Sequence, residues 1–250
     1  MKRLAILSVL IFALGMVSAQ RQKQVIKWFS IAPKATFGNS VLLNADIMGD
    51  KSISPDFMTV GYSYGGKFTY SFGQEHHFGL EYMLSSFGQK YGILTDAGES
   101  YSKIVSMTGS EISPYYRYRG LQGGFVDFGF KFSTLKTAEG TNDGVELARY
   151  DGNLMQYYDP KFTSMIFGFG MSFQIHERID INGGLRFAYS LTDITASSEF
   201  NITDDFVYRP GYTLTATTNP VSAQFLLELN YYFAFYGDAK CGRGRLMFFQ

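Results

Sequence analysis

The feature that most constrains this chain is a strict two-residue alternation that recurs in eight separate segments. In the clearest, Val221, Ala223, Phe225, Leu227, Leu229, Tyr231, Phe233 and Phe235 share one parity. Ser222, Gln224, Glu228 and Asn230 share the other, blurred only by Leu226 and Tyr232. A period of two places alternate side chains on opposite faces of a β-strand. The same pattern sets Leu185, Phe187, Tyr189 and Leu191 against Gly184, Arg186, Ala188 and Ser190. Met165 to Ile175 alternate with Ile166 to His176, and Val126, Phe128, Phe130 and Phe132 with Asp127, Gly129, Lys131 and Ser133. Ile112, Pro114, Tyr116 and Tyr118 oppose Glu111, Ser113, Tyr115, Arg117 and Arg119. Further segments run over 78–85 and 58–72, and a weaker first one over 29–37. Pro33 and Pro114 lack an amide donor, so each predicts a bulge or a weakened rung.

A soluble antiparallel sandwich also alternates, but it does not account for three features. The segments are long, as tilted membrane-crossing strands require. Their apolar faces are crowded with aromatics: 24 Phe and 18 Tyr stand against one Trp, with 27 Gly and only 6 Pro. The opposite faces carry Gly, Ser and isolated charges, which suits a narrow enclosed lumen better than a surface open to water. The expected fold is therefore all-β: an eight-stranded antiparallel transmembrane β-barrel. No apolar run of ~18 or more residues occurs after the first segment of the chain, so no transmembrane helix is expected.

The connections predict orientation. Short links fall near Gly73 to His77, Gly120 to Gly124 and Glu177 to Asp180. Long ones fall near Asn44 to Asp56, Gly92 to Ile104, Thr137 to Phe162 and Thr195 to Asn219. Short periplasmic turns and long external loops are the pattern of outer-membrane barrels.

The start of the chain fits that compartment. Lys2 and Arg3 precede an apolar run from Leu4 to Val17, which ends in Val17-Ser18-Ala19 before Gln20. A basic start, a short apolar run and a small-residue end form the plan of a cleaved secretory signal. The expected organisation is a signal peptide over 1–19, a lead over 20–27, the barrel over 28–235 and a basic, aromatic-ended periplasmic tail over 236–250. The formal charge is zero, which points to no nucleic-acid partner. The single cysteine, Cys241, cannot form an internal disulfide.

Parity places ten charged residues on the inward face: Lys34, Lys67, Glu81, Glu111, Arg117, Arg119, Asp127, Lys131, Arg186 and Glu228. Eight strands leave an interior just wide enough for side chains. Opposite charges confined there are expected to pair as a structural network, because an isolated buried charge costs several kcal/mol. The third external connection carries Thr141-Asn142-Asp143-Gly144, Tyr150-Asp151-Gly152-Asn153 and Tyr157-Tyr158-Asp159; the fourth carries Asp204, Asp205, Tyr208, Arg209 and Tyr212. None of this has the spacing of a calcium loop. The histidines, His76, His77 and His176, fall near the predicted periplasmic turns, and neither a GxSxG elbow nor an HExxH motif occurs. Neither a catalytic site, a metal nor a cofactor is expected.

The signal ending Val17-Ser18-Ala19-Gln20, the stretch Phe125-Val126-Asp127-Phe128-Gly129-Phe130 and the last strand Phe225 to Phe235 together resemble the small outer-membrane barrels of Bacteroidota. That grouping includes PorT-like proteins and is distantly similar to OmpA- and OmpX-type barrels. The resemblance covers nearly the whole mature chain, and its motifs are generic to the architecture. It implies insertion by the barrel-assembly machinery, contact with outer-membrane lipid and lipopolysaccharide, and a protein partner reached through the loops or the tail. The expected function is non-enzymatic: surface structure, adhesion or a subunit of an envelope complex. An accessory role in type IX-like secretion is the second expectation, and a lipid-modifying barrel enzyme the third.

Overall fold

Eight long strands close into a ring in the computed structural model, which describes residues 26–94, 98, 100–143, 152–195, 216–237 and 245–248. The elements in chain order are β1 (Ile26–Leu43), α1 (Ala45–Gly49), β2 (Ile53–Asp56), β3 (Val60–Phe72), β4 (His76–Leu94), β5 (Ser100–Arg119) and β6 (Gly124–Asn142). There follow β7 (Gly152–Asn153), a 3-10 turn (Met155–Tyr157), β8 (Lys161–His176), β9 (Ile179–Ser190), β10 (Asn219–Gly237) and β11 (Arg245–Phe248). The wall runs β1-β3-β4-β5-β6-β8-β9-β10, every pairing is antiparallel, and β10 pairs back to β1 to close the ring. Closure removes the open edges that lipid cannot satisfy. The predicted signal segment, Gly144, Tyr150, Asp151, Asp204, Asp205, Tyr208, Arg209, Tyr212 and Cys241 lie outside the described residues.

The alternation turns the molecule inside out. Phe128, Phe130, Phe167, Phe169, Leu227 and Tyr82 stand outside, each 40–60 % exposed, while Glu81, Asp127 and Glu228 on the same strands are buried. On β8 this apolar stripe runs from Met165 to Ile175. At ~3.3 Å per residue and a tilt near 40°, it covers roughly 25 Å, the height of a bilayer-facing band. The chain is an outer-membrane-type, transmembrane β-barrel.

Pro33 and Pro114 mark weakened rungs, not bulges: the pairing of β1 with β10 lapses at Ala32–Pro33 and resumes in the same register, as does that of β5 with β6 at Ser113–Pro114. The strands differ from the sequence reading in their links, several of which are shorter than the pattern suggests. The turn between β8 and β9 is confined to Glu177 and Arg178, so Asp180 belongs to the wall, not to the turn. Likewise β4 runs on to Leu94 and β5 begins at Ser100, so Gly92 and Ile104 are paired strand residues. Alternation failed there because the lining changes character, from polar to apolar, above the membrane.

That extension builds an external wall. Beyond Leu84, Ile112 and Phe132 the outward residues of β4, β5 and β6 become polar: Lys90, Ser106, Thr108, Lys136, Thr137 and Glu139 are exposed. β2 pairs with the outer end of β4, and β7 with that of β6, which widens the wall. Its inner face is largely apolar, with Gln89 and Lys103 also enclosed there. Tyr91, Ile93, Val105, Met107, Leu135 and Ala138 pack with Leu42, Ile47, Ile53, Leu154, Tyr158, Phe162 and Ile194. The connections that cross the mouth thus dock into a core. Asn44 anchors one of them: its Oδ1 accepts from the amides of Asp46 and Ile47, capping α1, and its Nδ2 donates to Ala216 O and Thr218 Oγ1. At the opposite end, β11 folds back and pairs with the last residues of β10.

Candidate functional site: the charged lumen

Seven of the eight wall strands send one charged side chain each to the same level of the lumen: Lys34, Lys67, Glu81, Arg117, Asp127, Arg186 and Glu228. Strand β8 supplies Gly168 there, where an added Cβ would lie 3.4 Å from Asp127 Cβ. The register dictates the neighbours, since Lys34 stands opposite Glu228, Lys67 opposite Glu81 and Arg117 opposite Asp127.

Glu228 is the hub. Its carboxylate accepts from Lys67 Nζ (2.5 Å), from Arg117 Nη1 and Nη2 (2.9 and 3.1 Å) and from Asn182 Nδ2 (2.9 Å), with Lys34 Nζ at 3.1 Å. Arg117 grips Asp127 as a fork, Nε to Oδ1 at 2.6 Å and Nη2 to Oδ2 at 2.8 Å. Arg186 grips Glu81 likewise, at 2.5 and 3.0 Å, and reaches Asp127 at 3.3 Å. Lys34 donates to Glu81 at 2.6 Å. Two guanidinium forks hold planar, bidentate geometry that a lysine cannot reproduce. The side chains of Lys34, Glu81, Asp127 and Glu228 are fully enclosed.

Aromatic rings pack into this layer. The ring of Tyr115 lies 5.5–6.0 Å from Lys34, Lys67, Arg117 and Arg186. Phe125 lies under the Arg117 guanidinium at 3.9 Å, a cation–π contact. Tyr115 covers Gly79 of the neighbouring strand, where a Cβ would sit 2.1 Å from its ring. Small residues on the inward face are therefore the counterpart of large ones beside them.

The remaining sequence-selected charges form separate groups. Lys131 donates to Glu111 at 3.1 Å nearer the external side. Arg119 donates to Asp180 at 2.9 Å near the periplasmic end, with Lys27 on the other Asp180 oxygen at 2.9 Å and Tyr232 Oη at 3.0 Å. Sequence reasoning passed over Lys27 and Asp180. Register shifts flanking Phe29 bring Lys27 to the inward side against the parity of β1, and the sequence pattern places Asp180 at the edge of a turn.

His77 Nδ1 and Ser71 Oγ are 2.6 Å apart, a pairing with the look of a nucleophile and base. Ser71 is 1 % exposed and faces the lumen interior, so a lipid substrate has no approach to it. His76 pairs with Tyr116 Oη at 2.6 Å on the outer surface. In the third connection, the Ser102 amide donates to Asp143 Oδ1 at 2.6 Å and holds that carboxyl below its ordinary value.

Among the described residues, one cavity of about 10 Å³ lies on the periplasmic side of the network and another of about 30 Å³ on the external side. One water needs roughly 10–15 Å³ of such room, so neither passes a solute. The apolar core then closes the external mouth.

No protein-family model matches the chain, and no curated protein matches it in sequence. Solved structures with a similar strand arrangement include OprG of Pseudomonas aeruginosa, at 11 % identity, over 88 % of this chain and 100 % of that one, with a TM-score of 0.47. Neisserial surface protein A is similar at 12 % identity over 82 % and 97 %, TM-score 0.39, and the attachment invasion locus protein of Yersinia pestis at 12 % over 82 % and 99 %, TM-score 0.39. At that distance the barrel assignment rests on this chain's own ring of pairings.

Proposed function

We propose that the chain is a sealed, non-enzymatic barrel of the bacterial outer membrane whose working surface is the external wall and the connections docked on it. The observation that carries this reading is the double closure of the lumen, by the ion-pair layer and by the apolar core above it. A barrel that passes nothing and projects β4, β5 and β6 well beyond the membrane acts through what it presents outside: surface structure, adhesion or assembly with another envelope protein. Export follows the signal segment over 1–19, and insertion uses the barrel-assembly machinery.

Lipid contact is part of the same reading. Lys136 and Lys161 are both exposed just above the apolar band, Lys161 beside Thr134 on the neighbouring strand. They stand at headgroup height, where lipopolysaccharide phosphates lie. The resemblance to PorT-like barrels favours a secretion accessory as the second role.

Crosslinking on intact cells, then purification from detergent-solubilised outer membranes, tests the proposal. A stoichiometric partner is expected, retained by Glu111→Gln in the lumen and lost on replacing Lys90, Lys136 and Glu139 with Ala. Partners drawn from a secretion complex would select the second role. Release of acyl chains from lipid by the purified protein would overturn the non-enzymatic reading.

A further inference from the structure

The smaller cavity lies between two ion-pair groups, each with one more base than acid. The central layer has four bases for three carboxylates: Lys34, Lys67, Arg117 and Arg186 against Glu81, Asp127 and Glu228. The periplasmic group has Lys27 and Arg119 for Asp180 alone. Lys67 and Arg117 from the first and Arg119 from the second line the cavity, and among the described residues no carboxylate does. In the enclosed central layer unneutralised positive charge is costly, whereas Lys27 and Arg119 stay partly exposed at 14 and 19 %.

Three hydrogen-bonding atoms without partners among the described residues belong to the same lining, and two of them, His77 Nε2 and Ser172 Oγ, can turn a proton toward it. His77 is 7 % exposed. Its Nδ1 lies against Ser71 Oγ, and either atom can be the donor; in the tautomer in which the Ser71 hydroxyl donates, Nε2 carries the ring proton toward the cavity. The hydroxyl of Ser172 is a second donor. Asn182 Oδ1 also lacks a partner there. It is an acceptor, so it opposes direct contact with an anion and makes a neutral water the competing occupant.

We propose that this cavity binds one small monovalent anion of the halide class, chloride in the cell envelope, held by His77 Nε2–H and Ser172 Oγ–H in the field of Lys67, Arg117 and Arg119. The cavity has room for about one water-sized centre, so a halide fits where the lining side chains yield by a few tenths of an ångström, and sulfate or phosphate does not fit. The ion neutralises the surplus of both groups and ties the periplasmic one to the central layer, so halide binding stabilises the closed lumen.

The test uses the full mature barrel in detergent. The midpoint of its heat-modifiable unfolding is followed in chloride, bromide, sulfate and gluconate salts at equal ionic strength, and crystals grown in bromide are examined for anomalous scattering. Chloride and bromide are expected to raise the midpoint over gluconate by a few degrees, sulfate is not, and bromide is expected in the cavity beside Ser172. Arg119→Gln and Ser172→Val should each weaken half-saturation by bromide about tenfold or more, a loss of ~1.4 kcal/mol. Equal midpoints in all four salts, an equal gain from sulfate, or a cavity of the unaltered protein without bromide would each overturn the proposal. The diffraction experiment needs no variant, so it decides even if both substitutions fail to fold.

Discussion

Glu228 shows how much one lumen residue carries. Its two oxygens accept from two lysines, one arginine and one asparagine, all enclosed. Removing the carboxylate leaves Lys67 and Lys34 with unmatched charge in a site water does not reach. Glu228→Gln should therefore lower stability by about 3 kcal/mol, since breaking a buried pair typically costs 3–5. Glu111 offers the comparison. Its partner Lys131 is 17 % exposed, so Glu111→Gln should cost at most about 1 kcal/mol. Urea unfolding of both variants in detergent measures the difference, and equal losses would mean the central layer is solvated. Gly79 tests packing instead of charge. Gly79→Ala drives a Cβ into the Tyr115 ring and should cost about 1–3 kcal/mol. Combined with Tyr115→Ala, the additional cost of Gly79→Ala should nearly vanish, the signature of coupled neighbours in a double-mutant cycle.

At the scale of elements, alternation made the wall strands readable, because one face meets lipid and the other an enclosed polar space. Parity alone put Glu81, Asp127, Arg186 and Glu228 on one face; it carried no information about which acid meets which base, since that depends on shear around the closed ring. It also breaks at bulges. Between Thr108 and Gly109 the partner strand gains Lys136 as an extra residue, and inward parity on β6 shifts from Ser133 and Leu135 to Ala138 and Gly140. The outer halves of β4, β5 and β6 become largely apolar on the inward face while their outward face turns polar, the reverse of the membrane pattern. They consequently read as loops. Leu154 and Ile194, isolated in sequence, are 3 % and 1 % exposed because they seal that apolar face. Ile194→Ala should loosen the cap and cost about 2–5 kcal/mol locally. Limited proteolysis on intact cells should cut the connection between β9 and β10 faster, while the heat-modifiable mobility of the barrel stays unchanged. A shifted barrel transition would instead join cap and barrel into one cooperative unit.

The whole molecule is best understood as two barriers in series along one axis. The ion-pair layer is a barrier of charge: a solute crossing it must separate Arg117 from Asp127 and Glu228, and Arg186 from Glu81, within a wall that supplies no replacement water. The external core is a barrier of packing: Val105, Met107 and Ala138 are fully enclosed, and a solute entering there must push apart close-packed apolar side chains. Either alone stops a sugar, and their order means that loosening one leaves the other in place. The expected result in planar bilayers is therefore no steady single-channel current, from the unaltered protein and from Ile194→Ala alike. Opening requires both barriers to fail. A variant joining Ile194→Ala to Glu228→Ala should show brief, flickering openings, while Glu228→Ala alone stays silent because the external core still closes the mouth. Large, steady currents from the unaltered protein would contradict the closed lumen and, with it, the assignment of the working surface to the external wall. Silence from the double variant would place the effective seal elsewhere on the axis, and the hydroxyl-rich level between the barriers, around Ser63, Ser85 and Ser222, is the part of the lumen left to supply it.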